Sequence, residues 1–422
     1  MSQPEPAPGA PSLAGRVHRR YEGATRWLNR RPLLRALVAA PRTAAFLSRT
    51  VIRRFRGSSL GIPAPDLSPG FIAQAAMDET ILALAMGPNR FPRRADYERV
   101  GAELGTAREL FEQRGWSGRP HTYHREPPPL EHVTEESGWA LGQSYVRIRF
   151  PSGYQPRPEE PGAQRWAGYE ANRTASAAVL RHPGEARPWV VAIHGFGMGI
   201  AFMDFVGLQA IRLHRDLGLN VVLPVLPLHG SRRLSRVGGE QFLGFDLMNT
   251  VHGLAQSAWD VRRVIGWARA QGAPSVGLYG VSLGGYTAAL VAGIEPDLDC
   301  VIAGIPVVDF PTLIHAHSPL HIRLRSIEHA ILGGNAEEVH RVVSPLAIDA
   351  RVPRERRFIY AGLADRLARP AQAQMLWSHW QEPSIEWFGG NHVGYLWSSA
   401  VRRYLVEALV SSGLERGVEA RS

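Results

Sequence analysis

Residues 275–293, SVGLYGVSLGGYTAALVAG, decide the fold of this chain. An apolar run is followed at once by a run rich in small residues, so the pattern predicts a strand that turns sharply into a helix. Ser282 lies at the join between Gly280 and Gly284, which have no side chains to keep strand and helix apart. Such a turn strains the serine backbone and lifts the hydroxyl above the carboxyl ends of the strands. Ser282 is therefore the predicted nucleophile, and a glycine-rich structural turn is the alternative.

The rest of the sequence predicts an α/β fold around this turn. From about residue 140, short apolar and β-branched runs alternate with helical patterns. The predicted strands are 143–150, 174–182, 189–194, 220–225, 275–281, 300–306, 357–362 and 384–388, and the predicted helices between them are 201–217, 250–271, 283–293, 369–380 and 395–411. Alternation with strands as apolar as WVVAI and VVLPV predicts a mostly parallel sheet with helices on both faces.

A glycine-rich loop follows the predicted strand at 189–194 in WVVAIHGFGMG. Such a loop can aim a backbone N–H at the nucleophile, where it would share a developing oxyanion with the N–H of Leu283. Phe196 is the favoured donor in the loop, with Gly197 second and a candidate substrate contact. His194 precedes the glycine turn, so we expect it to position the loop.

Two carboxylates at strand ends are candidates for the acid of a triad. Asp365 ends RRFIYAGLAD, and Asp309 ends VIAGIPVVD. Asp is also a preferred helix N-cap, which is the structural alternative for Asp365. Asp365 is favoured because it follows an apolar strand and precedes a suitable histidine, His392.

His392 in SIEWFGGNHVGYL is the candidate base. A glycine pair releases the chain from the last predicted strand, so the imidazole can reach a hydroxyl at the top of the sheet while its second nitrogen faces the acid. A predicted cap insertion at 310–345 contains His315 and His317, which are candidates to line the substrate site.

Four motifs in this order resemble the α/β-hydrolase superfamily, particularly bacterial esterases and lipases. They are HGFGMG at 194–199, GVSLGG at 280–285, AGLAD at 361–365 and GGNH at 389–392. LPLHGSRR at 226–233 is similar to a loop of acetyl-ester and dienelactone-type hydrolases. The resemblance covers about residues 140–412.

The resemblance implies a serine esterase that works through an acyl-enzyme. Ser282 would be the nucleophile, His392 the base and Asp365 its orienting acid, with no metal or organic cofactor. The same triad could serve a thioester, an amide or acyl transfer, because one fold hosts many chemistries. A non-catalytic, membrane-associated scaffold on a hydrolase fold is the alternative from another functional class.

The N-terminal third falls outside the resemblance. Residues 1–15 form a Pro-rich tail that we expect to be disordered, 16–139 an Arg-rich helical extension with further helices at 70–87 and 94–116, and 413–422 a C-terminal tail. The formal charge of +10 is concentrated in residues 16–56, which hold twelve arginines and one acid, so the remainder is near neutral.

The pattern of the basic segment 16–56 predicts a helix with a break near Pro41. Its second half has Ala44, Leu47, Val51 and Phe55 on one face and Arg42, Arg49, Arg53 and Arg56 on the other. This pattern suits an anionic membrane surface or packing on the protein's own body, and the sequence does not separate the two. The segment has no recognised nucleic-acid motif, so no nucleic-acid partner is expected.

Composition narrows the remaining possibilities. The chain has 422 residues and one cysteine, Cys300, so it forms no disulfide within itself. No apolar run reaches the about 20 residues that span a bilayer. We therefore expect a cytoplasmic protein, or one held at the inner face of the membrane; nothing in the sequence predicts an oligomeric state.

Overall fold

The computed structural model of the chain describes residues 39–56, 61–85 and 92–415. The predicted Pro-rich tail, the first part of the Arg-rich segment and the end of the C-terminal tail lie outside the described residues.

A nine-stranded, mostly parallel sheet forms the centre of the fold. Its strands are β1 (Thr134–Ala140), β2 (Gln143–Pro151), β3 (Thr174–Leu180), β4 (Trp189–Ile193), β5 (Asn220–Pro224), β6 (Val276–Val281), β7 (Cys300–Gly304), β8 (Arg357–Gly362) and β9 (Ser384–Phe388). The strand order is β1-β2-β3-β5-β4-β6-β7-β8-β9. β1, β2 and β3 pair antiparallel at one edge, and every pair from β5 to β9 is parallel. The predicted fold class is confirmed.

Thirteen α-helices surround the sheet in the described part of the chain. They are α1 (Ala39–Arg56), α2 (Pro69–Ala85), α3 (Arg94–Gln113), α4 (Ala163–Ala167), α5 (Ala201–Gly207), α6 (Ala210–Arg215), α7 (Leu247–Ala270), α8 (Leu283–Ile294), α9 (Phe310–His317), α10 (Leu320–Glu328), α11 (Gly334–His340), α12 (Pro370–His379) and α13 (Ser399–Ser411). Among these helices, α7, α8 and α12 pack on one face of the sheet, and α5, α6 and α13 pack on the other.

Alternating residues of the central strands divide the core between these two faces. In β4, Val191 and Ile193 belong to the α7–α8 side, whereas Val190 and Ala192 belong to the α5–α13 side. All four are completely buried. A strand covered on both faces has no polar side, which is why the parallel strands read as continuous apolar runs in the sequence.

The sheet begins earlier than the sequence predicted. β1 lies within the range assigned to the helical extension, whose boundary with the catalytic region was placed at 139/140. Leu141 and Gly142 connect β1 to β2, both with positive φ (51° and 73°), as a two-residue hairpin turn requires. The prediction missed β1 because TEESGWA is an exposed edge strand without apolar alternation.

The sequence predicted a single helix at 201–217, but the structure has two helices there, α5 and α6. The helix is interrupted because Gln209, which lies between them, has a φ of 51°.

The N-terminal helix α1 packs on the body through a face other than the predicted one. Ala39, Thr43, Phe46 and Thr50 are buried, whereas Ala44 and Val51 are exposed. The ring of Phe46 decides this orientation, because it stacks on Phe71 of α2 with 6.0 Å between centroids. Pro41 lies in the first turn of the described helix, a position that tolerates proline. The predicted break near Pro41 stays a prediction, since the residues before Ala39 lie outside the described part of the chain.

Association of the basic segment with an anionic membrane stays a prediction, since its first part lies outside the described residues. No helix in the described ranges has the length and apolar character to cross a bilayer.

Helices α9, α10 and α11 follow β7, within the range predicted as a cap. The rings of Phe310 in α9 and Tyr286 in α8 lie 4.7 Å apart, so the segment predicted as a cap begins against the helix that follows Ser282. On its far side the cap reaches the extension, where the ring of His329 lies 5.7 Å from that of Tyr97 in α3.

Candidate active site

Ser282 occupies a strained turn between β6 and α8. Its φ of 56° and ψ of −115° lie outside the regions that non-glycine residues favour. The turn leaves the side chain half-buried at the carboxyl edge of the sheet, while the neighbouring residues Val281 and Leu283 are buried. The first turn of α8 also points its unpaired N–H groups at this edge.

The glycines around Ser282 allow three backbones to meet. A Cβ on Gly280 would lie 2.0 Å from the carbonyl oxygen of Gly284, and a Cβ on Gly284 would lie 2.0 Å from that of Ile193 at the end of β4. Neither contact can be relieved by a side-chain rotation, because both oxygens belong to the backbone. The spacing of the two glycines follows from this packing.

We expect Gly284→Ala to destabilise the protein by about 3 kcal/mol, the upper end of the usual range for overpacking, because the new methyl group overlaps the Ile193 carbonyl. Urea unfolding followed by circular dichroism measures the change. Gly266→Ala is the matched control, since Gly266 is exposed within α7 with nothing within 4 Å of its added Cβ. The control should gain about 0.5–1 kcal/mol; equal stabilities for the two variants would contradict the argument.

Ser282, His392 and Asp365 are joined by hydrogen bonds. Ser282 Oγ lies 3.1 Å from His392 Nε2, and His392 Nδ1 lies 2.7 Å from Asp365 Oδ2. Asp365 is fully buried and His392 is 9% exposed. The three residues come from the turns after β6, β8 and β9, which end at the same edge of the parallel sheet. The arrangement can pass a proton from the serine to the imidazole.

The two candidate acids have different surroundings. Asp365 Oδ1 accepts from the N–H groups of Leu367 and Ala368 at 2.9 and 2.8 Å, which leaves Oδ2 for His392. Asp309 instead caps α9, where its Oδ1 accepts from Thr312 N at 3.0 Å. Asp365 therefore contacts the histidine, and the capping role falls to its rival.

The environment of His392 favours its charged form. Burial works to lower the pKa of His392, but the charge and hydrogen bond of Asp365, with the charge of Asp78, outweigh burial and raise that pKa above its ordinary value. Since only the neutral imidazole can accept a proton, any reaction that uses His392 as base should gain rate as the pH rises through this pKa.

The loop after β4 approaches Ser282 closely. A Cβ on Gly195 would lie 3.5 Å from Ser282 Cβ. Met198 N donates to Gly195 O at 3.3 Å and closes a turn that contains Phe196 and Gly197. Within the described residues, the N–H groups of Phe196 and Leu283 donate to no protein acceptor. Both are thus available to an oxyanion, and their role stays a prediction, as does a substrate contact by Gly197.

His194 ties this loop to the chain after β5. Its Nδ1 donates to Gly195 O at 2.8 Å, and its Nε2 accepts from Leu226 N at 3.1 Å. Burial lowers the pKa of His194 to about 4, so the ring is neutral and can hold both bonds at neutral pH. These contacts position the loop, as the sequence indicated.

Asp204 of α5 supports the same loop and was not singled out from the sequence. Its Oδ1 accepts from Gly199 N at 2.9 Å. The carboxyl is almost fully buried, and burial raises its pKa from 3.8 to about 7, against the opposing effect of the Gly199 and Ile200 N–H groups.

The raised pKa of Asp204 predicts a pH-dependent stability. The native state binds this proton more tightly than the unfolded chain, so the free energy of unfolding falls as the pH rises from about 4 through about 7. Asp204→Asn keeps an acceptor for Gly199 and should flatten this decline, as urea unfolding between pH 5 and pH 8 would measure. The exposed Asp216→Asn is the control, and an unchanged slope in Asp204→Asn would contradict the assignment.

The two predicted cap histidines differ in their contacts. His315 is exposed on α9. His317 Nε2 donates to the carbonyl of Leu367 at 3.2 Å, and burial lowers the pKa of His317 to about 4. His317 therefore links the cap to the loop that carries Asp365. Substrate contacts by either histidine stay predictions.

Helix α2 contributes to the site a residue that no sequence pattern indicated. Asp78 is completely buried and lies against the backbone of His392. The segment 70–87 was predicted only as a helix, and no motif marks Asp78, because its partners are about 300 positions away. Elsewhere in the site, no group of three or more His, Cys, Asp or Glu side chains within the described ranges is arranged to hold a metal.

Two proteins of Mycobacterium tuberculosis are similar to this chain over most of its length. Uncharacterized protein MT2702 of strain CDC 1551 is 43% identical over 344 residues, and uncharacterized protein Rv2627c of strain H37Rv is 42% identical over 344 residues. Each alignment covers 81% of this chain and 82% of the relative. The chain belongs to one family with these two proteins. No protein-family model matches the sequence.

Two solved esterase structures are similar to the fold at low sequence identity. An acetyl xylan esterase from Paenibacillus sp. R4 is 12% identical with a TM-score of 0.47, and the match covers 70% of this chain and 98% of the esterase. An esterase/lipase from an uncultured bacterium is 14% identical with a TM-score of 0.42, and covers 82% and 98% of the two chains.

Proposed function

We propose that the chain is a serine hydrolase of the α/β-hydrolase superfamily and that it cleaves a carboxylic ester. The observation that carries the proposal is the hydrogen-bonded series from Ser282 Oγ through the His392 imidazole to Asp365, at 3.1 and 2.7 Å. A serine hydroxyl is a weak nucleophile until a base takes its proton, and the neutral imidazole beside it is such a base.

In the first half of the reaction, Ser282 Oγ attacks the ester carbonyl while His392 Nε2 takes the hydroxyl proton. Negative charge develops on the carbonyl oxygen, and the N–H groups of Leu283 and Phe196 stabilise it. His392 then gives its proton to the leaving alcohol, and the acyl group stays on Ser282. Asp365 holds the imidazole in the tautomer with hydrogen on Nδ1 and stabilises the charged ring.

In the second half, His392 takes a proton from water as the water oxygen attacks the acyl carbonyl. The same N–H groups hold the second oxyanion. Collapse releases the carboxylic acid, and the proton on His392 returns to Ser282 Oγ. Every step uses groups of the chain and one water, so atoms and protons balance.

Exposed apolar side chains in and directly after the loop that approaches Ser282 support an ester with a hydrocarbon part, either a small molecule or a lipid. Phe196 is 41% exposed in the loop that approaches Ser282, and Ile200 and Phe202 are 49% and 57% exposed directly after it. Exposed apolar residues concentrated in one segment are typical of a binding surface. Rates on p-nitrophenyl esters from acetate to palmitate should therefore rise with chain length at first, and a preference for acetate alone would contradict this substrate class.

A fluorophosphonate probe tests the catalytic proposal, because it phosphonylates serines that a base activates. We expect one covalent label per chain on the wild-type protein, and peptide mass spectrometry should locate it at Ser282. Protein denatured before the probe is added is the control and should stay unlabelled. Absence of a label on folded protein, or a label at another serine, would overturn the proposal and favour a non-catalytic role for the fold.

A further inference from the structure

We propose that Asp78 of α2 is a positioning residue of the triad, because one of its carboxylate oxygens joins the loop that carries the acid to the loop that carries the base. Asp78 Oδ2 accepts from the backbone N–H of Arg366 at 2.9 Å and from that of His392 at 3.1 Å. Arg366 directly follows Asp365. This inference rests on the proposed function and adds the N-terminal extension to the site.

The other oxygen of Asp78 extends the same connection. Asp78 Oδ1 accepts from Asn391 Nδ2 at 3.0 Å. One turn earlier on α2, Gln74 Oε1 accepts from Asn391 N at 3.0 Å, and the Gln74 carbonyl accepts from Asn391 Nδ2 at 3.2 Å. Two side chains of α2 therefore hold the two consecutive residues Asn391 and His392.

Apolar and ionic contacts keep α2 in place over these loops. Phe46 of α1 and Phe71 and Ala75 of α2 form a small buried cluster with Ala364, the residue before Asp365. The guanidinium of Arg366 lies 4.2 Å above the Phe46 ring and bonds Glu79 Oε1 at 2.9 Å. Helices α1 and α2 thus contact the residues on both sides of Asp365, which are Ala364 and Arg366.

Asp78 also places a second carboxyl near the imidazole. The charged groups that face His392 are Asp365 and Asp78. Burial, followed by the charge of Asp365, raises the pKa of Asp78 to about 6, whereas its bonds to the N–H groups of Arg366 and His392 oppose the rise. Since an anion favours the imidazolium, removal of the Asp78 charge should lower the pKa of His392.

Asp78→Asn tests the inference, because all three partners of this carboxylate are donors. In one orientation the Asn NH₂ group faces Asn391 Nδ2, and in the other it faces the N–H groups of Arg366 and His392, so either orientation places two donors against each other. We expect kcat on p-nitrophenyl acetate to fall about tenfold to a hundredfold with little change in KM, as for a misplacement of catalytic groups. The acidic limb of the pH profile should also shift to lower pH. A residue needed only for folding would lower the amount of active protein and leave that limb in place.

Two further variants make the test sharp. Asp66→Asn makes the same chemical change at an exposed site before α2 and should leave kcat and the pH profile as in wild type. Gln74→Met removes the acceptor for Asn391 at a half-buried position and should lower kcat several-fold without moving the acidic limb. If Asp78→Asn does not fold, Gln74→Met decides, and unchanged kcat there overturns the inference.

Hydrogen exchange measures the connection without turnover. In Asp78→Asn, peptides spanning 361–368 and 388–395 should exchange faster than in wild type, while β6 and β7 stay protected. Wild-type kcat, acidic limb and exchange rates in Asp78→Asn would together overturn the inference while leaving the proposed function intact. A wild-type protein that takes no fluorophosphonate label would overturn the proposed function instead, and with it the positioning role.

Discussion

We expect the kcat of the Ser282→Ala variant on a p-nitrophenyl ester to fall roughly a millionfold, which is the usual size of the loss when a triad nucleophile is removed. The methyl group cannot form the acyl-enzyme, and no other hydroxyl is bonded to His392 Nε2 in the described part of the chain. The variant should also take no fluorophosphonate label. The residual kcat can be measured in stopped assays at high enzyme concentration. Fresh columns should be used for purification, because traces of wild-type enzyme would hide a rate this low.

Ser137→Ala is the matched control, since Ser137 is an exposed serine on the edge strand β1. It should keep wild-type kcat and labelling. Circular dichroism should give the same spectrum for both variants and wild type, because Ala is smaller than Ser and fits in its place. A folded Ser282→Ala protein with substantial activity would show that another residue is the nucleophile.

The Asp365→Asn variant is expected to lose about 10⁴-fold in kcat. Asp365 Oδ1 accepts from two backbone N–H groups, so the amide oxygen of Asn will occupy that place and turn its NH₂ toward His392 Nδ1. His392 must then accept at Nδ1 and carry its hydrogen on Nε2, where it cannot take the Ser282 proton. Loss of the Asp365 charge should also shift the acidic limb of the pH profile to lower pH.

Asp309→Asn separates the two acids that the sequence offered. Its side-chain oxygen can still cap α9 through Thr312 N, so the fold should be unaffected. We expect wild-type kcat for Asp309→Asn and the large loss for Asp365→Asn alone. The reverse result would show that the acid acts from the end of β7 and that the contact between His392 and Asp365 is structural.

Much of the fold could be predicted because its signals are local. Buried parallel strands are apolar throughout, and the eight predicted strands correspond to β2 to β9 within a few residues. β1 escaped prediction because an exposed edge strand carries no such pattern. The orientation of α1 could not be predicted for a related reason. A helical wheel shows which residues share a face, but the elements that pack against the helix decide which face is buried. In α1, Phe46 packs against Phe71 and Arg366, whereas Val51 is exposed.

By itself, the sequence selected the three candidate residues of the triad. Ser282, Asp365 and His392 each follow an apolar run, and the ends of parallel strands share one edge, so local pattern was enough to select them. Only the tertiary structure decided that Asp365 rather than Asp309 contacts His392, and that Asp78 contacts both loops. These are contacts between segments distant in the chain, and packing of whole elements sets them. A residue such as Asp78 acquires its surroundings from that packing, so its own neighbours in sequence carry no sign of its role.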